Sequence, residues 1–331
     1  MITRNIRSLA AFVALAGVSA ATCAQQKPAR FPAGYPDKPI RVLTGNPVGS
    51  GGDVLVRLVA QKLTERLGRS IVVDNRSGAT GGIALDLGAN AAPDGYTLSV
   101  CSTLNVTAMV LKTVSIDLLK VFAPVALFGS TPFLLVVTPS LPVNSVSELI
   151  AYAKSRPLVY SSAGTGSTVH LGMELFKFMA GIDMTHVPYK GSGQSVIDLT
   201  AGRVQVALVN TITAIPIVRG GKLRALAVTS LQRTQAMPEL PTVSEAGVRG
   251  YDLSTWYGLF APVKTAPAIV QALNAEINQI MDSPDVKKKL ADGSVELPKR
   301  YSSAEFREIV AREIDMWTKF VSTSGTKFDQ I

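Results

Sequence analysis

Ser161, Ser162, Thr165, Ser167 and Thr168 surround Ala163, Gly164 and Gly166 immediately before a stretch of helix-like apolar spacing. The first turn of a helix carries backbone N–H groups without intrahelical partners, and the aligned peptide dipoles leave partial positive charge there. A carboxylate or phosphate satisfies both, hydroxyls add donors, and glycines let a ligand approach the backbone. A structural reading fits this stretch equally well, with Ser167 or Thr168 as an N-cap and the glycines as a turn. The run Thr44–Asp53, TGNPVGSGGD, repeats the chemistry after a predicted strand and before a predicted helix, with Asp53 placed to cap it. Val54 stands where a dinucleotide fingerprint needs its third glycine, and no Lys-Ser/Thr pair follows, so neither nucleotide motif is met.

The chain has two histidines, His170 and His186. His170 lies three residues after Ser167, on the same helical face, so a Ser–His nucleophile pair is the one catalytic arrangement available. No Gly-x-Ser-x-Gly elbow and no histidine spacing for zinc accompanies it. His170 therefore reads as a hydrogen-bonded support for the loop, and a hydrolase using Ser167 and His170 is the disfavoured alternative. No metal and no cofactor is expected. His186, Tyr189 and Lys190 are expected to orient the same loop or the surface between domains.

These loops need elements to hold them. Short β-rich runs at Ile40–Thr44, Ser70–Asp74, Thr97–Cys101, Phe133–Val137, Leu158–Ser161, Val204–Val209 and Ala225–Ser230 alternate with helical patterns. The helices are expected over Asp53–Leu67, Ser145–Lys154, Ser192–Ala201, Pro267–Met281 and Ala304–Phe320, with one more after Ser167. Val54, Leu55, Leu58, Val59 and Leu63 would face a core in the first, and Leu171, Leu175, Phe178 and Met179 in the helix after Ser167. The alternation predicts an α/β protein with largely parallel sheets, whose ligands bind at the carboxyl ends of strands. Two extended Pro-containing pieces, Phe122–Val125 and Leu259–Pro262, are candidate crossings between two lobes. Trp256 and Tyr257 would line a cleft or pack at the hinge, Trp317 and Phe320 belong to a core, and Cys101 reads as an inert buried thiol.

Arg4 and Arg7 precede an uncharged run, Leu9–Ser19, and then Thr22-Cys23-Ala24-Gln25, the pattern of a secretory signal peptide over residues 1–24. Acylation of Cys23 is the less favoured alternative. Removing this segment leaves 31 basic and 24 acidic side chains, a net +7, and Cys101 as the sole cysteine, so no internal disulfide can form. Lys287, Lys288 and Lys289 form the tight basic run, a solvated helix face without the aromatic interleaving of a nucleic-acid platform. A soluble exported monomer without nucleic-acid partners is expected.

Several runs, taken in order, resemble the Bug-type periplasmic solute-binding proteins that serve tripartite tricarboxylate transporters. They are residues 35–42, the Gly-rich loop ending in Asp53, 72–79, 93–98, 122–125, 162–171, 186–191, 221–230 and 241–247. The resemblance implies a two-lobed periplasmic-binding-protein fold, type II-like and α/β, with residues 25–124 and 250–331 in lobe 1 and 125–249 in lobe 2. It implies capture of a small carboxylate between the lobes, held by backbone N–H groups and hydroxyls, and delivery to a membrane permease of the tripartite type. A sensor reporting the ligand to a signalling system is the alternative use of the same cleft. Carried over by position, the first jaw is Pro47, Val48, Gly49, Ser50, Gly51 and Asp53, with Ser102 and Thr103 beside it. The second is Ala163, Gly164, Thr165, Gly166, Ser167, Thr168 and His170, with Asn210. The sequence departs from the family pattern at Gly45–Ser50, which lacks the usual aromatic residue, at Thr107-Ala108 and Val114–Asp117, and at Val209, where an acidic residue is common. The last change disfavours an amino-acid ligand, whose ammonium would lack a counter-charge.

Overall fold

In a computed structural model of the chain, residues 31–292, 295–296 and 300–324 are described. The expected export segment, residues 1–24, lies outside them. The strands are β1 (Ile40–Thr44), β2 (Ile71–Asn75), β3 (Thr97–Ser102), β4 (Phe122–Val137), β5 (Val159–Ser162), β6 (Thr185–Pro188), β7 (Val206–Asn210), β8 (Arg224–Val228) and β9 (Ser254–Pro262). The helices are α1 (Gly51–Leu67), α2 (Gly82–Ala89), α3 (Thr103–Val110), α4 (Leu118–Val121), α5 (Val146–Ser155), α6 (Thr168–Ala180), α7 (Ser192–Thr200), α8 (Thr211–Arg219), α9 (Pro267–Asp282), α10 (Pro284–Asp292) and α11 (Ser303–Thr323).

Hydrogen bonding orders the strands β2-β1-β3-β9-β4-β7-β5-β6, with β8 also on β4. Pairs joined through a helix are parallel: β1 with β2 and β3, and β5 with β6 and β7. Every antiparallel pair contains β4 or β9. β4 pairs with β9 from Phe122 to Pro132, then changes partners at Phe133 and continues against β7 and β8. The result is a two-lobed α/β fold whose halves share one strand.

The candidate crossings at Phe122–Val125 and Leu259–Pro262 prove to be neighbours within one sheet, Phe122 opposite Pro262 and Pro124 opposite Phe260. The chain passes between sheets further along, at Pro132–Phe133, and returns just before Ser254. Proline lacks a ladder donor, which argues against a long strand through Pro124 and Pro132. Here the register shifts between Pro124 and Ala126 and again between Leu127 and Gly129, so bulges absorb the irregularity.

The core is layered accordingly. Ile40, Val42, Leu98 and Val100 pack with Leu55, Val59 and Leu63 of α1 and with Ile269, Leu273 and Ile277 of α9. A second cluster runs through both halves, joining Cys101 and Phe122 to Tyr160, Leu208, Leu171, Phe176, Phe306 and Trp317. Burial raises the Cys101 thiol far above its ordinary value, in line with an inert residue.

Two apolar faces differ from their predicted stripes. In α1 the buried set is Leu55, Val56, Val59, Ala60 and Leu63, while Val54 is exposed. In α6, Leu171 is buried with Met173, Phe176 and the polar Glu174, while Phe178 and Met179 are turned outward. The reason is polar: Glu174 accepts from the Tyr160 hydroxyl beneath the helix and pairs with Lys177 at 2.8 Å. Phe178 finds a partial cover against Phe320, ring centroids 5.9 Å apart.

Gly258 of β9 lies directly under the Phe306 ring, where a Cβ would overlap the ring carbons and press on the Ala126 carbonyl. Gly258→Ala is expected to destabilise the fold by about 1–3 kcal/mol through overpacking. A urea titration checks this; an unchanged midpoint would contradict the tight β9–α11 contact.

Candidate ligand-binding cleft

Five helices, α1, α3, α6, α7 and α8, begin at the carboxyl ends of β1, β3, β5, β6 and β7, and their first turns converge. This is the edge at which open α/β sheets bind ligands.

The first jaw is braced from beneath. Thr44 Oγ1 accepts from Asn46 Nδ2 at 2.9 Å, and Ser50 caps α1 by accepting from Asp53 N at 3.4 Å. The Asp53 carboxylate, almost fully buried, accepts from Gly49 N at 2.9 Å, Arg57 Nε at 2.9 Å and Asn75 Nδ2 at 2.7 Å. Burial pushes this carboxyl up, but those donors outweigh it and hold the group below the usual carboxylate range. Gly52 is required by close approach, since a Cβ there would sit 2.6 Å from the Tyr257 ring and 2.7 Å from Asn46.

The second jaw is held by a histidine stack. The rings of His170 and His186 lie 3.9 Å apart and nearly parallel, and Tyr160 stacks on His186 at 4.9 Å. His170 Nδ1 accepts from Gly166 N at 3.0 Å, while His186 Nε2 and Ser162 Oγ are 2.7 Å apart. Ser167 caps α6, accepting from His170 N at 3.3 Å and donating to the Gly164 carbonyl at 2.7 Å. The Ser167 proton is thus directed at a carbonyl, and the δ-nitrogen of His170 at a backbone amide, bonds that hold the loop together. Burial, the His186 ring and Lys177 push the His170 imidazole down to about 3, which keeps it neutral.

Between the jaws lies a cavity of about 380 Å³. Of the residues expected at the site, Pro47, Ser50, Gly51, Ser102, Ala163, Ser167, Thr168 and Asn210 line it. The others stand apart from its wall. Val48 points to solvent, 73% exposed, and Gly49 and Asp53 bond to each other. Thr103 Oγ1 accepts from Trp256 N and donates to the Ser254 carbonyl, both at 3.3 Å. Gly164, Gly166 and His170 form the loop's internal bonds, with Thr165 half-buried among them.

The wall also contains Asn46 and Gly52 of the Thr44–Asp53 run, together with residues that carry no motif: Thr131 and Phe133 of β4, Thr255 of β9, and Ser192 and Ser195 of α7. The cue for α7 was present in Gly191-Ser192-Gly193, a third small polar helix start. Thr131 and Thr255 lie on the crossing strands, far from both jaws in sequence, and carried no signal. Tyr257 lines this cavity, whereas Trp256 lines one formed with α11.

Among the described residues no lysine, arginine, histidine or carboxylate lines the cavity. Side chains cap α1, α6 and α8 through Ser50, Ser167 and Asn210, and α3 has a capping box from Ser102 and Asn105. The start of α7, after Gly191, has no side-chain cap. The arrangement offers hydroxyls and backbone N–H groups with positive helix ends and no formal counter-charge, which suits a small anion.

The sequence profile of the "Tripartite tricarboxylate transporter family receptor" matches residues 55–325. Protein BugT of Bordetella pertussis is 34% identical over 330 residues, 98% of each chain. Among solved structures, Rpa4515 of R. palustris with adipate is 37% identical, with a TM-score of 0.76 over 88% of this chain and 98% of that one. MatC of Rhodopseudomonas palustris with bound malate is 31% identical, with a TM-score of 0.74 over 87% and 100%.

The stack makes a pH prediction. The folded pKa of His170, about 3, lies below its ordinary 6.5, so the unfolded chain takes up the proton more readily. Its contribution is complete above about pH 6.5 and declines as the pH falls toward about 3. Stability of His170→Asn, which has no imidazole to protonate, should fall less steeply across that window, by about one proton. Equal slopes in urea titrations would contradict the neutral stack.

Proposed function

This chain belongs to the tripartite tricarboxylate transporter receptor family, and we propose that it is a periplasmic receptor that captures a small organic carboxylate between its lobes and hands it to a membrane permease. Its relatives and structural neighbours are solute-binding receptors. Among the described residues no helix is long and apolar enough to cross a membrane. The observation that carries the reading is the convergence of five helix starts on a cavity that no charged side chain lines among the described residues.

In this reading Ser50 and Gly51 from one lobe and Ser167, Thr168 and Ser192 from the other present backbone and hydroxyl donors to the carboxylate. Asp53, His170 and His186 act behind the surface by fixing the two loops. An ammonium-bearing ligand is disfavoured: Val209 and its neighbours on the wall bear no carboxylate, and Asp53, the acid nearest the first jaw, is committed to Arg57 and Asn75. Capture and release then follow from a hinge motion at the two strand crossings, with ligand contacts favouring the closed form. Ser167 Oγ donates to the Gly164 carbonyl and His170 Nδ1 accepts from Gly166 N, bonds that serve the loop and lend the hydrolase alternative no support.

A thermal-shift screen of mono-, di- and tricarboxylates should raise the melting temperature with at least one acid, because binding to the folded state stabilises by mass action. Ser192→Asp should keep the fold, since an acid at the start of a helix is favoured, yet weaken that acid's binding by roughly tenfold or more through repulsion. If only sugars or cations shift the melting temperature, or if the aspartate leaves affinity unchanged, the anion-receptor reading fails.

A further inference from the structure

Gly51 and Ile212 are the first helical turns of opposite lobes meeting across the cavity. A Cβ on Gly51 would lie 3.7 Å from Ile212 Cδ1, the sole such atom within 4 Å among the described residues outside its own helix and chain neighbours. The adjacent Gly52 is different, being filled from within its own lobe by Asn46 and Tyr257. Ile212 is 40% exposed although large and apolar, and Val54, one turn along α1 from Gly51, is 60% exposed.

We infer that Ile212 is the closing contact of the cleft: its side chain seats in the notch left by Gly51 and sets how long the lobes stay shut. The inference rests on the reading that this cleft closes over its ligand. The start of α8, capped by Asn210, and the start of α1, capped by Ser50, border the same cavity, so two helix ends of partial positive charge lie on its wall. Without an anion between them these ends repel. An apolar contact offsets that repulsion without adding a charge that would compete for the ligand. A notch without a side chain lets the contact form at close range, and its backbone is helical, so residues other than glycine fit there sterically except for Ile212 itself.

A volume swap tests this. Gly51→Val adds three carbons to the notch and should prop the cleft open; Ile212→Ala removes three and should loosen it; the double variant restores the volume. Lobe separation is read without ligand by electron–electron distance measurement between spin labels on Val48→Cys and Ile197→Cys, in a Cys23→Ser background with Cys101 buried. Both single variants should shift the distribution to longer distances, and the double variant should return it. With adipate as the probe, each single variant should release ligand roughly tenfold faster, with the rate recovered in the double. Distances that ignore Gly51→Val, or a double variant that stays open, overturn the inference even if adipate binds. Distances that respond and recover, with no carboxylate binding at all, uphold the contact and overturn the carboxylate reading.

Discussion

The β4 strand is the constraint on which the rest of the molecule depends. It is hydrogen-bonded to β9 up to Pro132 and to β7 and β8 from Phe133, so both sheets are built on one continuous piece of backbone. That sharing fixes the relative placement of the helix starts at the carboxyl ends of β1, β3, β5, β6 and β7. The crossing region is itself tied down: Trp256 and Trp317 donate to Glu313 of α11, and Thr103 at the start of α3 accepts from Trp256 N. The core that runs from Cys101 and Phe122 through Tyr160 to Trp317 passes behind this region without a break.

On this frame the jaws are polar without being charged. Buried ion pairs hold an anion strongly but incur a large desolvation cost and release it reluctantly. Neutral N–H and hydroxyl donors give weaker individual bonds whose sum depends on how many converge. A receptor that must let its cargo go is served by the second arrangement. The charged groups near the site are used differently: Asp53 closes a ring of bonds with Gly49, Arg57 and Asn75, and Glu174 joins Tyr160 and Lys177 beneath the histidine stack. Their charges shape the loops from behind, and among the described residues the cavity wall is neutral.

Much of this was legible in the chain itself. The strand–helix alternation and the two Gly/Ser loops are local signals, and Ser50 and Ser167 both serve as N-caps at the loops where hydroxyls and glycines cluster. What escaped was non-local. Pro124 and Pro132 hid the length of β4, because only a partner strand shows where bulges accommodate them. The stripe in α6 departs from its spacing at Phe178, because burial of Glu174 depends on Tyr160 and Lys177 arriving together. Ser167 and His170 share a helical face as their spacing requires, yet the ring turns to Gly166 N, a preference that spacing does not encode. Thr131 and Thr255 meet at the cavity because β4 and β9 pair there, and neither has a cue in its own neighbourhood.

Backbone amides of both lobes should together hold the ligand, and amide-resolved NMR during titration with a carboxylate that stabilises the protein reads this at each residue. Concerted downfield shifts are expected at Gly51 and Gly52 on one side and at Thr168, Val169 and Ser192 on the other, saturating at a single concentration. Shifts confined to one lobe, or centred on the surface run Lys287–Lys289, would rule out capture between the two jaws.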